Sequence, residues 1–274
     1  MAPSVATMQT AAMDFIEVQG SVLPAIGFGT GGLRGDDGVE GVRHALEIGY
    51  RHIDTARRYQ NEAEVGEGLR RSGVPRLDVF LTTKIMGSDL APDRVGPATD
   101  ASLAALGVDH VDLLLIHVPS EAIPLEATLA AMVDQQEAGR VRHIGVSNFR
   151  LAQLRQAMAH TRIFTNQVPY QPGRTQRGLA EMARSEDFLL TAYSPLRGEA
   201  INDPVMVAIA EAHGKTVQQV ALRWLVQQPG VTPIPRSATP SRRIANFEIF
   251  DFELTAEQMA SIFALSALPN VEGS

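Results

Sequence analysis

The chain has 274 residues, 45% of them hydrophobic, enough to fill the core of one large domain or two modest ones. Its formal net charge of −7 gives a long-range field of the wrong sign for coating nucleic acid or an anionic membrane, so any basic site has to be local. The absence of cysteine excludes disulfide frameworks, zinc ribbons and thiol nucleophiles, and favours a cytoplasmic setting.

Residues 1–13 carry no basic cluster and no continuous apolar core, so a loose tail is expected there rather than a secretory signal. Phe15 to Val18 and Ser21 to Leu23 flank Gln19-Gly20 and suggest a β-hairpin. Eight strand-like runs follow: Ala25 to Gly29, Arg51 to Asp54, Val79 to Lys84, Val111 to His117, Val141 to Ser147, Ile163 to Gln167, Phe188 to Tyr193 and Val231 to Pro235. Helical periodicity lies between them at Gly38 to Ile48, Glu62 to Arg71, Pro92 to Leu106, Leu125 to Ala138 and Leu151 to His160. Parallel strands with crossover helices follow from that alternation, and eight such units close into a (β/α)8 TIM barrel. Helical patterns at Val217 to Gln227 and Thr255 to Leu265 exceed the minimal barrel and predict two extra helices. No linker divides the chain, so residues 1–274 are expected to form one domain. No apolar run is long enough to span a bilayer, since even Val111 to Val118 is strand-sized.

Gly27, Gly29 and Gly32 fit G-x-G-x-x-G after a strand, the fingerprint of a Rossmann dinucleotide site. The glycines of that motif open directly into a helix, whereas residues 33–38 read as a turn. In a barrel these glycines instead let the first loop approach a ligand.

Barrel active sites are built at the carboxyl ends of the strands. Here those ends carry Thr30, Asp54, Lys84, His117, Ser147 with Asn148, Gln167, Tyr193 with Ser194, and Arg236 with Ser237. Asp54, Tyr59, Lys84 and His117 fall on or just after successive strands, so the barrel brings them to one mouth. Their chemistry suits reduction of a carbonyl, which needs a hydride at carbon and a proton at oxygen. A free phenol, with a pKa of about 10, is a reluctant acid near neutrality. An ammonium such as Lys84 favours the phenolate and assists Tyr59, and Asp54 keeps a buried Lys84 charged. His117 can donate to the substrate oxygen and orient it. No metal is needed.

The stretches Gly49-Tyr50-Arg51-His52-Ile53-Asp54-Thr55-Ala56, Tyr59 with Asn61-Glu62, Thr83-Lys84, Leu115-Ile116-His117 and Ile144-Gly145-Val146-Ser147-Asn148-Phe149 resemble signature segments of the aldo-keto reductases. The likeness continues through Gln167, Ala192-Tyr193-Ser194-Pro195-Leu196 and Ile234-Pro235-Arg236-Ser237, and points to the short bacterial members. It implies Tyr59 as proton donor, Lys84 and Asp54 as its tuning pair, His117 as the group orienting the carbonyl, and an extended nicotinamide cofactor across the barrel mouth. Ser147, Asn148 and Gln167 are suited to its carboxamide, and Tyr193 offers a plane on which the ring can stack. Gly29, Thr30, Asp54, Ser194 and Leu196 complete the implied cofactor lining. Arg236, Ser237, Arg242 and Asn246, around the start of a helix after Thr239-Pro240, suit a 2′-phosphate and adenine, and hence NADP(H). Arg243 is expected to be solvated.

The family often places aromatic residues where this chain has Gly31 and Val118, and larger relatives carry a longer C-terminal loop than Leu265 to Ser274. An open pocket for small aldehydes, ketones or keto sugars is therefore expected. Arg57 and Arg58 either attract an acidic substrate or are simply solvated. A metal-dependent TIM-barrel hydrolase is a rival, because His52 and Asp54 alternate on one strand, but the later strand ends lack further ligands. A non-catalytic NADP(H)-binding regulatory barrel is another. The expected partner is a small carbonyl or alcohol, with no nucleic acid or membrane, and the expected state is a cytoplasmic monomer.

Overall fold

The computed structural model describes residues 13–266, so the expected tail lies outside the described residues except for Met13. Strands β1 (Phe15–Val18) and β2 (Ser21–Pro24) pair antiparallel. Gln19 and Gly20 join them, both at positive φ (53° and 75°), as a tight hairpin turn requires. Val18 and Leu23 of this hairpin pack on Leu113, Leu115, Phe164 and Leu189 and close the end of the barrel where the strands begin.

Eight strands run parallel in sequence order: β3 (Phe28–Gly29), β4 (His52–Asp54), β5 (Phe80–Ile85), β6 (Val111–Ile116), β7 (Val141–Ser147), β8 (Thr165–Pro169), β9 (Leu189–Tyr193) and β10 (Val231–Pro233). All eight expected runs are therefore strands. The last segment meets the first: the Gly27 amide donates to Pro233 O at 2.9 Å and the Gly29 amide to Pro235 O at 3.1 Å. This closure accounts for two of the three glycines of the rejected Rossmann pattern, Gly27 and Gly29. A Cβ on Gly29 would lie 2.8 Å from Ile234 O, so Gly29 permits the strands to approach, and one on Gly27 would lie 2.7 Å from the His52 ring, so Gly27 makes room for that side chain inside the barrel.

Among the described residues ten helices accompany the sheet: α1 (Gly35–Ile48), α2 (Glu62–Ser72), α3 (Pro92–Leu106), α4 (Leu125–Glu137), α5 (Leu151–His160), α6 (Arg177–Ser185), α7 (Pro204–His213), α8 (Val217–Val226), α9 (Pro240–Phe247) and α10 (Ala256–Ala264). Two differences from the sequence reading matter. Helix α1 starts at Gly35, inside the stretch read as a turn, with Asp36 and Asp37 in its first turn, where acidic side chains suit the helix dipole. In the long connection between β9 and β10, α8 packs against β10 and serves the barrel. The extra helix there is α7, started by Asp203, whose carboxylate accepts from the Val205 amide at 2.9 Å, and by Pro204. Helix α10 is the second extra element, as expected. Among the described residues no helix is long and apolar enough to cross a membrane.

The main apolar core lies between the sheet and its helices. The barrel interior is polar in its upper part, where Asp54 and Lys84 point inward with Thr82 and His52 one layer below. The packed shell holds the strand ends still, and the inward side chains inherit that rigidity.

Candidate active site

Asp54 ends β4 and Lys84 lies near the end of β5, both almost fully buried. The Lys84 ammonium donates to Asp54 Oδ1 at 2.5 Å and to Thr55 O at 2.8 Å. The other carboxylate oxygen, Oδ2, accepts from Gln167 Nε2 at 2.7 Å. Burial alone would push the Lys84 ammonium down, but Asp54, then Tyr59, more than offset it and hold Lys84 above its ordinary value.

Tyr59 closes a one-turn 3-10 helix, Arg57–Tyr59, directly after β4. Lys84 Nζ lies 5.1 Å from the centroid of its ring. His117, just past β6, meets that ring edge-on with centroids 5.6 Å apart. Burial, followed by the nearby Lys84 charge, pushes the imidazole down to about 4, so His117 is neutral at pH 7. Its Nδ1 is buried without a hydrogen-bond partner. The structure thus brings together all four side chains of the expected acid set.

The later strand ends form a second network. Ser147 Oγ donates to Gln167 O at 2.9 Å, and Asn148 Nδ2 donates to Ser147 Oγ and to His117 O, both at 3.0 Å. The Tyr193 hydroxyl donates to Asn148 Oδ1 at 2.9 Å. Asn148 and Ser194 both adopt positive φ, 64° and 51°, which turns these ends sharply over the mouth. Leu196 packs partly against the core. Thr30, fully buried, spends its hydroxyl on Asp54 O at 3.0 Å, and Gly29 sits in the closing seam.

Around α9, Arg236 and Arg242 are exposed, whereas Ser237 and Asn246 are buried. No side chain caps the start of this helix. Ser237 Oγ accepts from the Thr239 amide at 3.1 Å and shapes the turn leading into it. Arg243, expected to be solvated, is instead buried: it donates to Ser237 O (3.2 Å), Ala238 O (3.0 Å) and His44 Nδ1 (3.1 Å). It braces the loop from behind, its long side chain satisfied by carbonyls rather than by water. Arg57 is likewise held, by Asp89 at 2.9 Å and Ala98 O at 3.1 Å, while Arg58 is exposed. Gly31 lies against Tyr59, where a Cβ would be 3.4 Å from the ring, and Val118 is 37% exposed. His52, the metal candidate, shares a hydrogen bond with Thr82 Oγ1 at 3.2 Å inside the barrel. Among the described residues no three His, Asp or Glu side chains converge as metal ligands.

The model of the aldo/keto reductase family matches residues 25–267. The chain belongs to the aldo-keto reductase family. It is 38% identical to the glyoxal reductase of Bacillus subtilis over 264 residues, covering 94% of this chain and 95% of that one. It is also 38% identical to the morphine 6-dehydrogenase of Pseudomonas putida, covering 89% of this chain and 88% of that one. The crystal structure of a Bombyx mori aldo-keto reductase in complex with NADP superposes with a TM-score of 0.85 at 34% identity, covering 92% of each chain.

For this aldo-keto reductase, sequence reasoning missed the work of Arg243, Asn61 and Glu62. Asn61 Nδ2 donates to Thr30 O at 2.9 Å and to Leu33 O at 2.8 Å, and Glu62 Oε1 accepts from the Thr83 hydroxyl at 2.6 Å. Their position in the Tyr59 to Glu62 segment was the available signal. Their partners, more than twenty residues away, were not visible in it.

Proposed function

We propose that this enzyme reduces small aldehydes, ketones or keto sugars to alcohols with NADPH, Tyr59 giving the proton to the carbonyl oxygen. The observation that carries the reading is the buried Asp54 and Lys84 pair beside the Tyr59 ring, with a neutral imidazole meeting the same ring edge-on. NADPH supplies the hydride. The residues present fit that cofactor: Ser147, Asn148 and Tyr193 are already ordered by one another at the mouth, and Gln167, having spent Nε2 on Asp54, has Oε1 to offer a carboxamide. Arg236 and Arg242 stand exposed beside the uncapped start of α9, where amides and guanidinium groups favour a 2′-phosphate, with Asn246 one turn further along for the adenine.

The proton has one good source. An imidazole titrating at about 4 is protonated in only about one molecule in a thousand at pH 7, so His117 serves as a hydrogen-bond donor that orients the carbonyl. When Tyr59 gives up its proton, the Lys84 ammonium stabilises the negative charge left on the phenolic oxygen, and Asp54 keeps that ammonium charged in its buried site. Solvent restores the proton after the alcohol leaves. Gly31 and Val118, small groups at the mouth, favour compact carbonyls without a tight aromatic wall. The complete acid set favours an enzyme over a regulatory NADP(H)-binding barrel. The absence of cysteine favours the cytoplasm, the net charge of −7 argues against nucleic-acid or anionic-membrane partners, and the unbroken alternation of strands and helices favours one domain, which we read as a monomer.

The test is Tyr59→Phe, followed by nicotinamide absorbance with NADPH and a panel of aldehydes. Turnover should fall by at least about a hundredfold while NADPH affinity stays within about twofold. Near-normal turnover in that variant removes Tyr59 as the acid.

A further inference from the structure

Asn61 is the N-cap residue of α2, a position where asparagine ordinarily accepts from the first free amides of the helix. Here it makes no such bond. The side chain, 1% exposed, instead turns away from its own helix, donating to Thr30 O and Leu33 O and accepting from Thr55 Oγ1 at 2.9 Å. A stabilising cap, typically worth about 1 kcal/mol, is given up for three bonds, two to the loop after β3 and one to the start of its own loop.

Those loops are the supports of the acid and of its cation. The segment from Thr30 to Leu33 contains Gly31, whose backbone lies against the Tyr59 ring. Thr55, bonded through its hydroxyl to Asn61, presents its carbonyl to the Lys84 ammonium. The next residue, Glu62, accepts from Thr83, the immediate neighbour of Lys84 on β5. Two consecutive side chains therefore reach the backing of Tyr59, the acceptor of Lys84 and the strand that carries Lys84.

We propose that Asn61 is a positioning residue for proton transfer, fixing the placement of the Tyr59 hydroxyl against the Lys84 ammonium by holding the backbone supports of both, with Glu62 as a second hold on the lysine strand. The inference rests on Tyr59 being the acid. Around Tyr59 the titratable and charged groups are Lys84 from β5, Asp54 from β4, His117 after β6, Tyr193 at the end of β9, and the adjacent Arg58. Of these, Lys84 is the one whose backbone acceptor Asn61 holds. Loosening Asn61 therefore weakens the help the ammonium gives the phenol and leaves the cofactor network of β7 to β9 in place.

The test compares Asn61→Ala, Thr55→Val and Tyr59→Phe as full-length enzymes with NADPH and a neutral aromatic aldehyde. For Asn61→Ala, kcat should fall at least about tenfold, in line with the sensitivity of such steps to misplacement of about 1 Å. The high-pH limb of the kcat/KM profile should move up by about half a unit or more as the ammonium withdraws, with NADPH affinity within about twofold of wild type. Thr55→Val, which cuts only the lysine arm, should show a smaller change in the same directions, and Glu62→Gln, which keeps the acceptor for Thr83, should retain more turnover than Glu62→Ala. Unchanged kcat and an unmoved limb in Asn61→Ala, with only a lower melting temperature, overturn the proposal. If Asn61→Ala does not fold, the same wild-type behaviour in Thr55→Val overturns it. An active Tyr59→Phe rejects the acid itself, whereas an inactive Tyr59→Phe beside unaffected Asn61 and Thr55 variants rejects only the positioning role.

Discussion

Replacing Asp54 by asparagine keeps the shape of the side chain and removes its charge, leaving the Lys84 ammonium in a site with no solvent exposure and only neutral acceptors. Removing one partner of a buried pair costs about 3 to 5 kcal/mol. An independent bound comes from the lysine itself, which can escape by shedding its proton: at pH 7, that costs about 1.4 kcal/mol for each of about 3.4 units below its reference pKa, or about 5 kcal/mol. An isolated ammonium held buried costs far more than that, so Lys84 in Asp54→Asn should shed its proton and fold largely neutral, which caps the loss at about 5 kcal/mol, in line with the first figure. The sign of the pH effect follows. With the folded lysine neutral and the unfolded one charged, the unfolded state binds more protons, and the variant gains stability on wild type by about 1.4 kcal/mol per unit from pH 7 towards 10. Urea denaturation across that range measures the gap, with aldehyde turnover recorded in parallel. Turnover should stay low throughout, because recovered stability does not restore the ammonium. The double variant Asp54→Leu with Lys84→Met should regain most of the lost stability and none of the activity, since an apolar pair of similar volume often replaces a buried ion pair without loss. A stability gap below about 1 kcal/mol that does not change with pH would refute the argument, because it would mean the pair is not desolvated.

Arg236→Gly should raise KM for NADPH at least about tenfold and KM for NADH less than about twofold, as expected if one guanidinium contact to a 2′-phosphate is lost; steady-state kinetics with both cofactors decide it. His52, buried in the barrel and pushed down to about 4 by desolvation, should make folding weaken in acid. Its folded value lies below its unfolded one, so stability is lost as pH falls from about 6.5 to about 4, by about 3 kcal/mol in total. The urea-derived stability difference between wild type and His52→Gln should shrink by that amount over the same window, and a constant difference rules the buried imidazole out as the cause.

The barrel was legible because its strands are buried on both faces and so read as short apolar runs, as in Leu113 to Ile116, ending abruptly in a polar side chain such as His117. Helices α3 and α5 have the bounds that periodicity assigned them. Helix α1 was read short because Gly35-Asp36-Asp37-Gly38 has turn composition, although Glu64 of α2 accepts from the Gly35 amide at 3.2 Å and the acidic pair favours the helix start. Helix α7 escaped because Val205-Met206-Val207-Ala208-Ile209-Ala210 is apolar on nearly every side, which blurs the period of a helix that packs on both α8 and α10. Its Asp203-Pro204 start was the readable signal.

The meeting of Asp54, Lys84 and His117 was legible for a related reason: strand order alone carries the three to one mouth, so register implies that they come together. Arg243 and Asn61 show where that logic stops. An arginine in the first turn of a helix and an asparagine just before one each have a local explanation, a solvated charge and a cap, and the structure uses neither. Both side chains instead satisfy carbonyls of loops that lie far away along the chain or across a turn. An unpaired loop carbonyl is costly once buried, so these donors are demanded by the loops they serve. The loops in question frame Tyr59 at one side of the mouth and the approach to Arg236 at the other. The strand ends carry the polar side chains that meet at the mouth, and buried donors one layer behind hold the loops beside them. Those donors become readable only when the partners that require them are known.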